Sequence, residues 1–263
     1  MALERKRSTF RLAIEYDGGG FHGWQVQSKG RTVQGVLEAA LERLAHGPVR
    51  VAGAGRTDAG CHAVGQVASV TLDTRLEADR LRQALNAHLP ADVRVVEVAV
   101  AASGFHARFD AVRRAYRYLI IPRPSALRRG LAWNRVVRAD EDALNDAVQP
   151  LLGSHDFTSF SRQASETGAT RCRVAGARWR CRSGMLRFDI EADRFLYTMV
   201  RRIVATAVRA AEGGGGARAI RAVLEARDRR ASAPAAPAHG LYLMRVRYPG
   251  VGWIPKESLR VVG

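Results

Sequence analysis

One aspartate stands in a loop of small residues, where its carboxylate could act as a nucleophile. The loop reads Gly53-Ala54-Gly55-Arg56-Thr57-Asp58-Ala59-Gly60-Cys61-His62-Ala63. No other acidic residue lies between Glu42 and Asp73. A carboxylate can form a covalent intermediate, and glycines let a planar substrate approach the backbone. On local chemistry alone, a turn-forming role for Asp58 is the simpler interpretation, because Asp commonly bonds its own backbone in loops.

Two other kinds of site are disfavoured in this loop. Gly55 and Gly60 have the G-x-x-x-x-G spacing of a phosphate-binding loop, but Cys61 and His62 stand where Lys and Ser or Thr are required. Cys61 and His62 are also adjacent ligand types without a second pair at ligand spacing. The sequence therefore predicts neither a nucleoside triphosphatase nor a metal site, and we expect no cofactor.

The charge balance indicates a polyanionic partner. The 263 residues carry 42 Lys and Arg against 25 Asp and Glu, a formal net charge of +17. Nucleic acid is the commonest partner for such an excess, and an acidic membrane surface is the main rival. A genome that favours Arg codons would produce the same balance without a function.

Composition also bears on the compartment. No stretch approaches the ~18 to 20 apolar residues of a membrane span, and no secretory h-region follows the basic start of the chain. The three cysteines are odd in number and lack C-x-x-C spacing, which is typical of a reduced compartment. We expect a cytoplasmic protein that does not engage a membrane.

Hydrophobic periodicity predicts the elements that position the loop. The first part has the order β-α-β-β-α-β, with strands at 10–16, 49–54, 66–72 and 92–100 and a second helix at 77–88. The first helix follows Thr32 as its predicted N-cap and is stopped by Gly47-Pro48. The second part has strands at 113–121, 174–182, 185–191 and 241–248, and helices at 140–152, 194–212 and 217–227.

This pattern predicts an α+β fold of two split-βαβ (ferredoxin- or RRM-like) halves with a mainly antiparallel sheet and helices on one face. We place the first half at 8–108, the second at 109–250 and a tail at 251–263.

Six motifs resemble, in order, those of the tRNA pseudouridine synthase A family. The stretch AGAGRTDAGCHAVGQV is similar to the family signature G-R-T-D-A-G-V-H-A, whose aspartate is the nucleophile. The other motifs are FHARF at 105–109, RAYRY at 114–118, DFTSF at 156–160, MVR at 199–201 and GLYL at 240–243. They extend over nearly the whole chain, so the resemblance implies a pseudouridine synthase fold.

The resemblance also implies a reaction and a set of roles. A uracil is detached from its ribose, rotated and rejoined through C5, without net redox change. Asp58 would attack either C1′ of the sugar or C6 of the base. Arg201 would pair with Asp58, Tyr116 would stack on the base or help to remove the C5 proton, and Leu243 would supply an apolar wall. Without the motifs, Arg201 is a solvated surface residue and Tyr116 and Leu243 are core residues.

The RNA contacts follow from the same resemblance. Arg56 would help to flip the target base from its stem. Other contacts would be made by Phe105, His106, Arg108, Arg123, Trp133 and Gln163. Family members act as homodimers with the RNA bridging both subunits, on uridines 38, 39 and 40 of the anticodon stem-loop.

Two alternatives remain open at the level of sequence. The chain could be a tRNA-binding protein or chaperone without chemistry, which would leave the loop of Asp58 idle. It could instead be a nuclease or phosphoryl-transfer enzyme, but such enzymes normally need clustered carboxylates for metal ions, and none surround Asp58 in the sequence.

Overall fold

The computed structural model describes residues 6–45, 47–162 and 168–255. They form a mixed α+β fold in which almost all strand pairs are antiparallel, as the sequence predicted. The chain divides into two compact units. The first unit comprises Met1–Val112 and Leu243–Gly263, and the second comprises Arg113–Tyr242.

Eleven strands and five α-helices lie in the described part of the chain. In chain order, strands β1 to β11 are Lys6–Tyr16, Ala52–Gly53, His62–Thr74, Val93–Ala101, Arg113–Ile121, Trp133–Asn134, Gly153–Asp156, Arg171–Arg182, Met185–Ala192, Leu241–Tyr248 and Gly252–Ile254. Helices α1 to α5 are Val33–Ala45, Ala78–His88, Glu141–Val148, Met199–Glu212 and Gly216–Ala226.

The first unit is built around β1, which confirms the strand predicted at 10–16. Phe10, Leu12 and Ile14 are buried on one face, and the small Ala13 between them is buried as well. β1 pairs antiparallel with β3 on one side and with β4 on the other. The short strand β2 pairs with the far side of β3, where Ala52 is opposite Ser69.

Helices α1 and α2 cover this sheet. The predicted cap of α1 is confirmed, since the Thr32 hydroxyl accepts a hydrogen bond from the Gly35 amide at 3.3 Å. Leu37 and Leu41 of α1 and Leu81 and Leu85 of α2 are fully buried. α1 packs against β3 and α2, and α2 packs against β4.

The second unit is a sheet of β5, β9, β8 and β7 in that order, with antiparallel neighbours throughout. β6 pairs parallel with the end of β5. Trp179 of β8 and Phe188 of β9 are cross-strand partners, and their buried rings have centroids 4.8 Å apart. Helix α3 packs against β8 and against α4 and α5.

Two predicted helices are shorter in the structure. The helix predicted at 194–212 begins at Met199, because Thr198 adopts a left-handed conformation with φ of +62°. The helix predicted at 140–152 ends at Val148, because Pro150 has no amide to donate, and a short 3-10 turn, Gln149–Leu151, follows.

The strands that flank the Asp58 loop also differ from the prediction. The strand expected at 49–54 is reduced to Ala52–Gly53, whereas the strand expected at 66–72 begins earlier, at His62. None of the helices in the described part of the chain combines the length and apolar character needed to cross a bilayer.

Candidate active site

Asp58 lies in the loop that joins β2 to β3, and the residue before it is anchored in the core. The hydroxyls of Thr57 and Tyr16 lie 2.7 Å apart in a buried hydrogen bond. The Thr57 carbonyl accepts a second bond from the Trp24 amide at 3.1 Å. Thr57 is buried whereas Asp58 is half-buried. The backbone is thus fixed immediately before a carboxylate that keeps contact with solvent.

The chain turns sharply after Asp58. The Cys61 amide donates to the Asp58 carbonyl at 3.1 Å, and the Gly60 amide donates to the Phe21 carbonyl at 3.2 Å. Gly60 has a φ of +78°, a conformation that glycine adopts without strain. The loop is therefore held on both sides of the carboxylate.

Two positioning residues of the loop were not identified from the sequence. Gln66, fully buried on β3, donates from Nε2 to the Gly55 carbonyl at 2.7 Å. Gly23 passes so close to the loop that an added Cβ would lie 2.7 Å from the Thr57 carbonyl oxygen. Neither residue carries a local signal of this role, because each contact joins segments that are separated in the sequence.

The remaining polar groups of the loop have different environments. Arg56 is exposed, and its Nε donates to Gln25 Oε1 at 3.0 Å. Cys61 and His62 are buried, and His62 Nδ1 accepts a bond from the Gly18 amide at 3.1 Å. Asp17 Oδ1 also lies 3.1 Å from His62 Nδ1 and accepts from the Gly19 amide at 2.9 Å. The buried His62 ring thus contacts the segment at Asp17 and Gly18.

The FHARF segment also lies in the first unit and is folded on itself. The His106 Nδ1 accepts from the Arg108 amide at 3.1 Å, and its ring lies 4.3 Å from the ring of Phe109. Phe105 packs on Tyr248 with centroids 5.1 Å apart. Phe109 is 76% exposed. The segment presents an aromatic and basic surface of the kind that stacks on bases and binds phosphates.

In the second unit, Tyr116 is buried on β5. Its ring meets the ring of Phe195 edge-on, with centroids 4.9 Å apart and an interplanar angle of 80°. Phe195 lies in the segment before α4 that the sequence predicted as helix. The pair forms an aromatic wall at the start of α4.

Arg201 occupies the first turn of α4. Its Nε donates to the Ala236 carbonyl at 2.7 Å, and its own carbonyl accepts from the Ala236 amide at 3.1 Å. Ala236 belongs to the Ala- and Pro-rich linker at 231–238. This reciprocal pair of bonds fixes both the backbone and the guanidinium of Arg201.

The other predicted site residues have varied surroundings. Leu243 is fully buried on β10, at the position where the chain re-enters the first unit. Arg123 is exposed and lines a cavity of about 400 Å³ in the second unit. Trp133 is half-buried, with the Arg135 guanidinium 5.1 Å from its ring centroid. Gln163 lies outside the described residues.

Candidate metal ligands are dispersed in the described part of the chain. In residues 6–45, 47–162 and 168–255, no three His, Cys, Asp or Glu side chains are grouped as ligands. All three cysteines are free; Cys61 and Cys172 are buried and Cys181 is exposed.

A family model described as tRNA pseudouridine synthase matches residues 12–110 and 147–249. The matched ranges include Asp58 and Arg201, whereas Tyr116 lies between them. Three relatives share the name tRNA pseudouridine synthase A. The relative from Agrobacterium fabrum is 43% identical over 92% of this chain and 93% of its own. The relative from Parvibaculum lavamentivorans is 42% identical over 91% and 98%, and that from Azorhizobium caulinodans is 45% identical over 91% and 94%.

The chain therefore belongs to the tRNA pseudouridine synthase family. Within it, the relatives at this level of identity carry the more particular name tRNA pseudouridine synthase A.

Proposed function

We propose that this protein isomerises uridine to pseudouridine in tRNA, with Asp58 as the nucleophile. The observation that carries the proposal is the anchoring of the Asp58 loop. A half-buried carboxylate follows Thr57, whose backbone and side chain are both held by the core. Such pre-positioning is what a nucleophile requires. Membership of the family supports the reaction and the substrate class.

The reaction needs only groups that the chain itself supplies. The bond between N1 of uracil and C1′ of ribose breaks, the base turns, and a bond between C5 and C1′ forms. C5 loses a proton and N1 gains one, so no oxidant or reductant is consumed. Asp58 forms a temporary bond to C1′ or to C6 and is released when the new bond has formed.

We assign roles in the reaction to two residues of the second unit, as the family resemblance implies. We assign to Arg201 the task of orienting Asp58, as a guanidinium does for a carboxylate. The bonds between Arg201 and Ala236 support this role, because they fix the guanidinium before substrate binds. Tyr116 lies against the target base, where it stacks or assists removal of the C5 proton. Its edge-on contact with Phe195 holds the ring in place.

Leu243 provides an apolar wall for the base. Its complete burial fits a core residue equally well, and the two roles are compatible.

The tRNA is bound through its backbone and through a base taken out of the stem. Arg56, exposed at the loop of Asp58, occupies the space that the flipped base leaves. Phe105, His106 and Arg108 extend the RNA surface in the first unit, and Arg123, Trp133 and Gln163 extend it in the second. We place the target uridines in the anticodon stem-loop, and the net charge of +17 supports a polyanionic substrate.

Three further assignments rest on the family resemblance. The two units are split-βαβ halves, and the antiparallel order β4, β1, β3, β2 in the first unit supports this for one of them. Two copies of the chain act together on one tRNA. The protein works in the cytoplasm, where its substrate is modified.

The test is to map pseudouridine in a tRNA transcript after incubation with three proteins. These are the native chain, Asp58→Asn and a matched control, Asp73→Asn, whose carboxylate is exposed on β3. We expect modified uridines in the anticodon arm with the native and Asp73→Asn proteins and none with Asp58→Asn. Tight tRNA binding without conversion by any of them would favour a non-catalytic RNA-binding protein. Conversion only outside the anticodon arm would contradict the assigned location.

A further inference from the structure

Strand β8 of the second unit presents arginines at alternate positions on one face of the sheet. Arg178, Arg180 and Arg182 are exposed, whereas Trp179 between them is buried on the face that packs against α3. Arg187 of β9 is directly opposite Arg180 and so lies on the same face. We call these four residues the arginine face.

The charges of the arginine face are poorly balanced. Asp189 of β9 binds both Arg187 and Arg117, so its two oxygens already have cationic partners. Within the described residues, Arg178, Arg180 and Arg182 have neither a hydrogen bond nor an ion pair from their side chains. Like charges directly opposite each other on two strands are destabilising, as for Arg180 and Arg187. The fold thus retains an unfavourable arrangement that an anionic ligand would relieve.

Protection of a strand edge is the plain alternative explanation, because charged residues often prevent edge strands from pairing with other chains. β7 pairs only with positions 171–174 of β8. Beyond them, α3 already covers the edge. The Trp179 amide donates to Asn145 Oδ1 at 2.9 Å, and the Cys181 amide donates to Glu141 Oε2 at 2.8 Å. The arginines are therefore not needed to block this edge.

The geometry of the arginine face suits a phosphate backbone. Alternate residues of a strand are about 6.6 Å apart, so the three arginines of β8 form a row of about 13 Å. Guanidinium groups bind phosphates bidentately. The row ends at the 400 Å³ cavity, which is lined by Arg123, Arg128 and the turn at Ser183 and Gly184 that follows Arg182.

We propose that the arginine face is a second RNA-binding surface, which holds the sugar–phosphate backbone of a tRNA away from the nucleotides that react. The inference rests on tRNA being the substrate, but it concerns residues with no part in the chemistry. The surface contributes affinity without sequence preference, because it contacts phosphates rather than base edges.

The test compares two double variants that remove the same charge. Arg180→Gln/Arg182→Gln alters the arginine face, and Arg218→Gln/Arg221→Gln alters two exposed arginines of α5 in the same unit. The dissociation constant for an unmodified tRNA is measured over a range of salt concentrations. We expect the first variant to bind tRNA on the order of tenfold more weakly than the native protein. The slope of its log binding constant against log salt concentration should decrease by the equivalent of about two phosphate contacts. The control should remain within about twofold of the native protein.

The proposal would be overturned if the two double variants had the same dissociation constant for tRNA, whether both bound as the native protein does or both bound more weakly. It would also be overturned if the first variant lost binding to vesicles of acidic phospholipid but not to tRNA, or changed the oligomeric state with tRNA binding intact. Thermal unfolding checks the fold. If Arg180→Gln/Arg182→Gln is unstable, Arg180→Glu alone replaces it, with the same expectations against Arg218→Glu.

The binding measurement separates this proposal from the proposed reaction. If the native protein converts no uridine but Arg180→Gln/Arg182→Gln binds tRNA more weakly than it does, only the enzymatic proposal is contradicted. A native protein that converts uridine while both variants bind alike would contradict only the arginine face.

Discussion

The hydroxyl oxygens of Tyr16 and Thr57 lie 2.7 Å apart, in a buried hydrogen bond one residue before Asp58. Tyr16 is the last residue of β1, which pairs with both β3 and β4. The position of the loop is therefore coupled directly to the centre of the first unit's sheet. A carboxylate held in this way needs little reorganisation before it attacks a substrate.

Removal of either hydroxyl should disturb both stability and turnover. Tyr16→Phe and Thr57→Val each delete one partner of the buried bond, so each should lower the free energy of unfolding by about 1 to 2 kcal/mol. Each should lower kcat on the order of tenfold, because the loop loses its fixed position. Chemical denaturation and steady-state kinetics measure the two effects. The double variant should lose less than the two single losses combined; strict additivity would show that the two hydroxyls are not coupled.

Gly23 should be intolerant of a methyl group because of its contact with the loop. Gly23 and Gly250 both have positive φ, +91° and +68°, so alanine at either position should cost about 1 to 2 kcal/mol of stability. Only at Gly23 would the new Cβ meet the Thr57 carbonyl, at 2.7 Å, whereas nothing lies within 4 Å at Gly250. Gly23→Ala should therefore lower kcat on the order of tenfold or more, and Gly250→Ala should not. Similar kcat values for the two variants would rule out the contact as a determinant of the loop.

Lysine should not replace Arg201. It keeps the positive charge but loses the planar fork and the Nε donor that binds the Ala236 carbonyl. Arg201→Lys should reduce kcat on the order of 100-fold with a smaller change in KM, because orientation of the nucleophile is lost. Arg209→Lys is the matched control, since Arg209 lies on the same helix and donates to the Ala231 carbonyl of the same linker. If the two variants retain equal kcat, Arg201 has only a structural role.

The ion pair of Arg31 and Asp92 should give a stability difference that depends on pH. A side-chain hydrogen bond from Arg31 is the largest cause of the lowered pKa of Asp92. Burial opposes it and is the next largest effect, and the Arg31 charge acts in the same direction as the hydrogen bond. A carboxylate with a lowered pKa stabilises the fold above its unfolded pKa of about 4, and this contribution is lost as the pH falls through the folded value.

Asp92→Asn should therefore be less stable than the native protein at pH 7, by under about 1 kcal/mol because both partners are partly exposed. The difference should shrink as the pH falls below about 4. Urea denaturation at a series of pH values provides the measurement, and Asp73→Asn should follow the native curve. A difference that is constant down to pH 2 would contradict the assignment.

The sequence predicted the elements with strong periodicity. The alternation in β1 and the cap of α1 are local signals, and both are present in the structure. The small residues around Asp58 likewise predicted a loop between two strands, and the structure contains one.

The anchors of that loop could not be predicted in the same way. The bond between Tyr16 and Thr57 joins residues 41 positions apart, and Gln66 of β3 donates to Gly55, which follows the neighbouring strand β2. Such contacts depend on strand pairing, which periodicity does not specify. The late start of α4 could not be predicted either. It follows from the left-handed conformation of Thr198, which is unusual for a β-branched residue and is not indicated by local propensity.

Tritium release from C5 of the target uridine reports whether Asp58 attacks the substrate. A tRNA that carries uridine labelled at C5 is incubated with the native protein and with Asp58→Asn, because C5 loses its hydrogen when the new bond forms. We expect release by the native protein and none by Asp58→Asn, with tRNA binding retained by both. Release by Asp58→Asn at the native rate, or no release by the native protein despite tight binding, would contradict this role of Asp58.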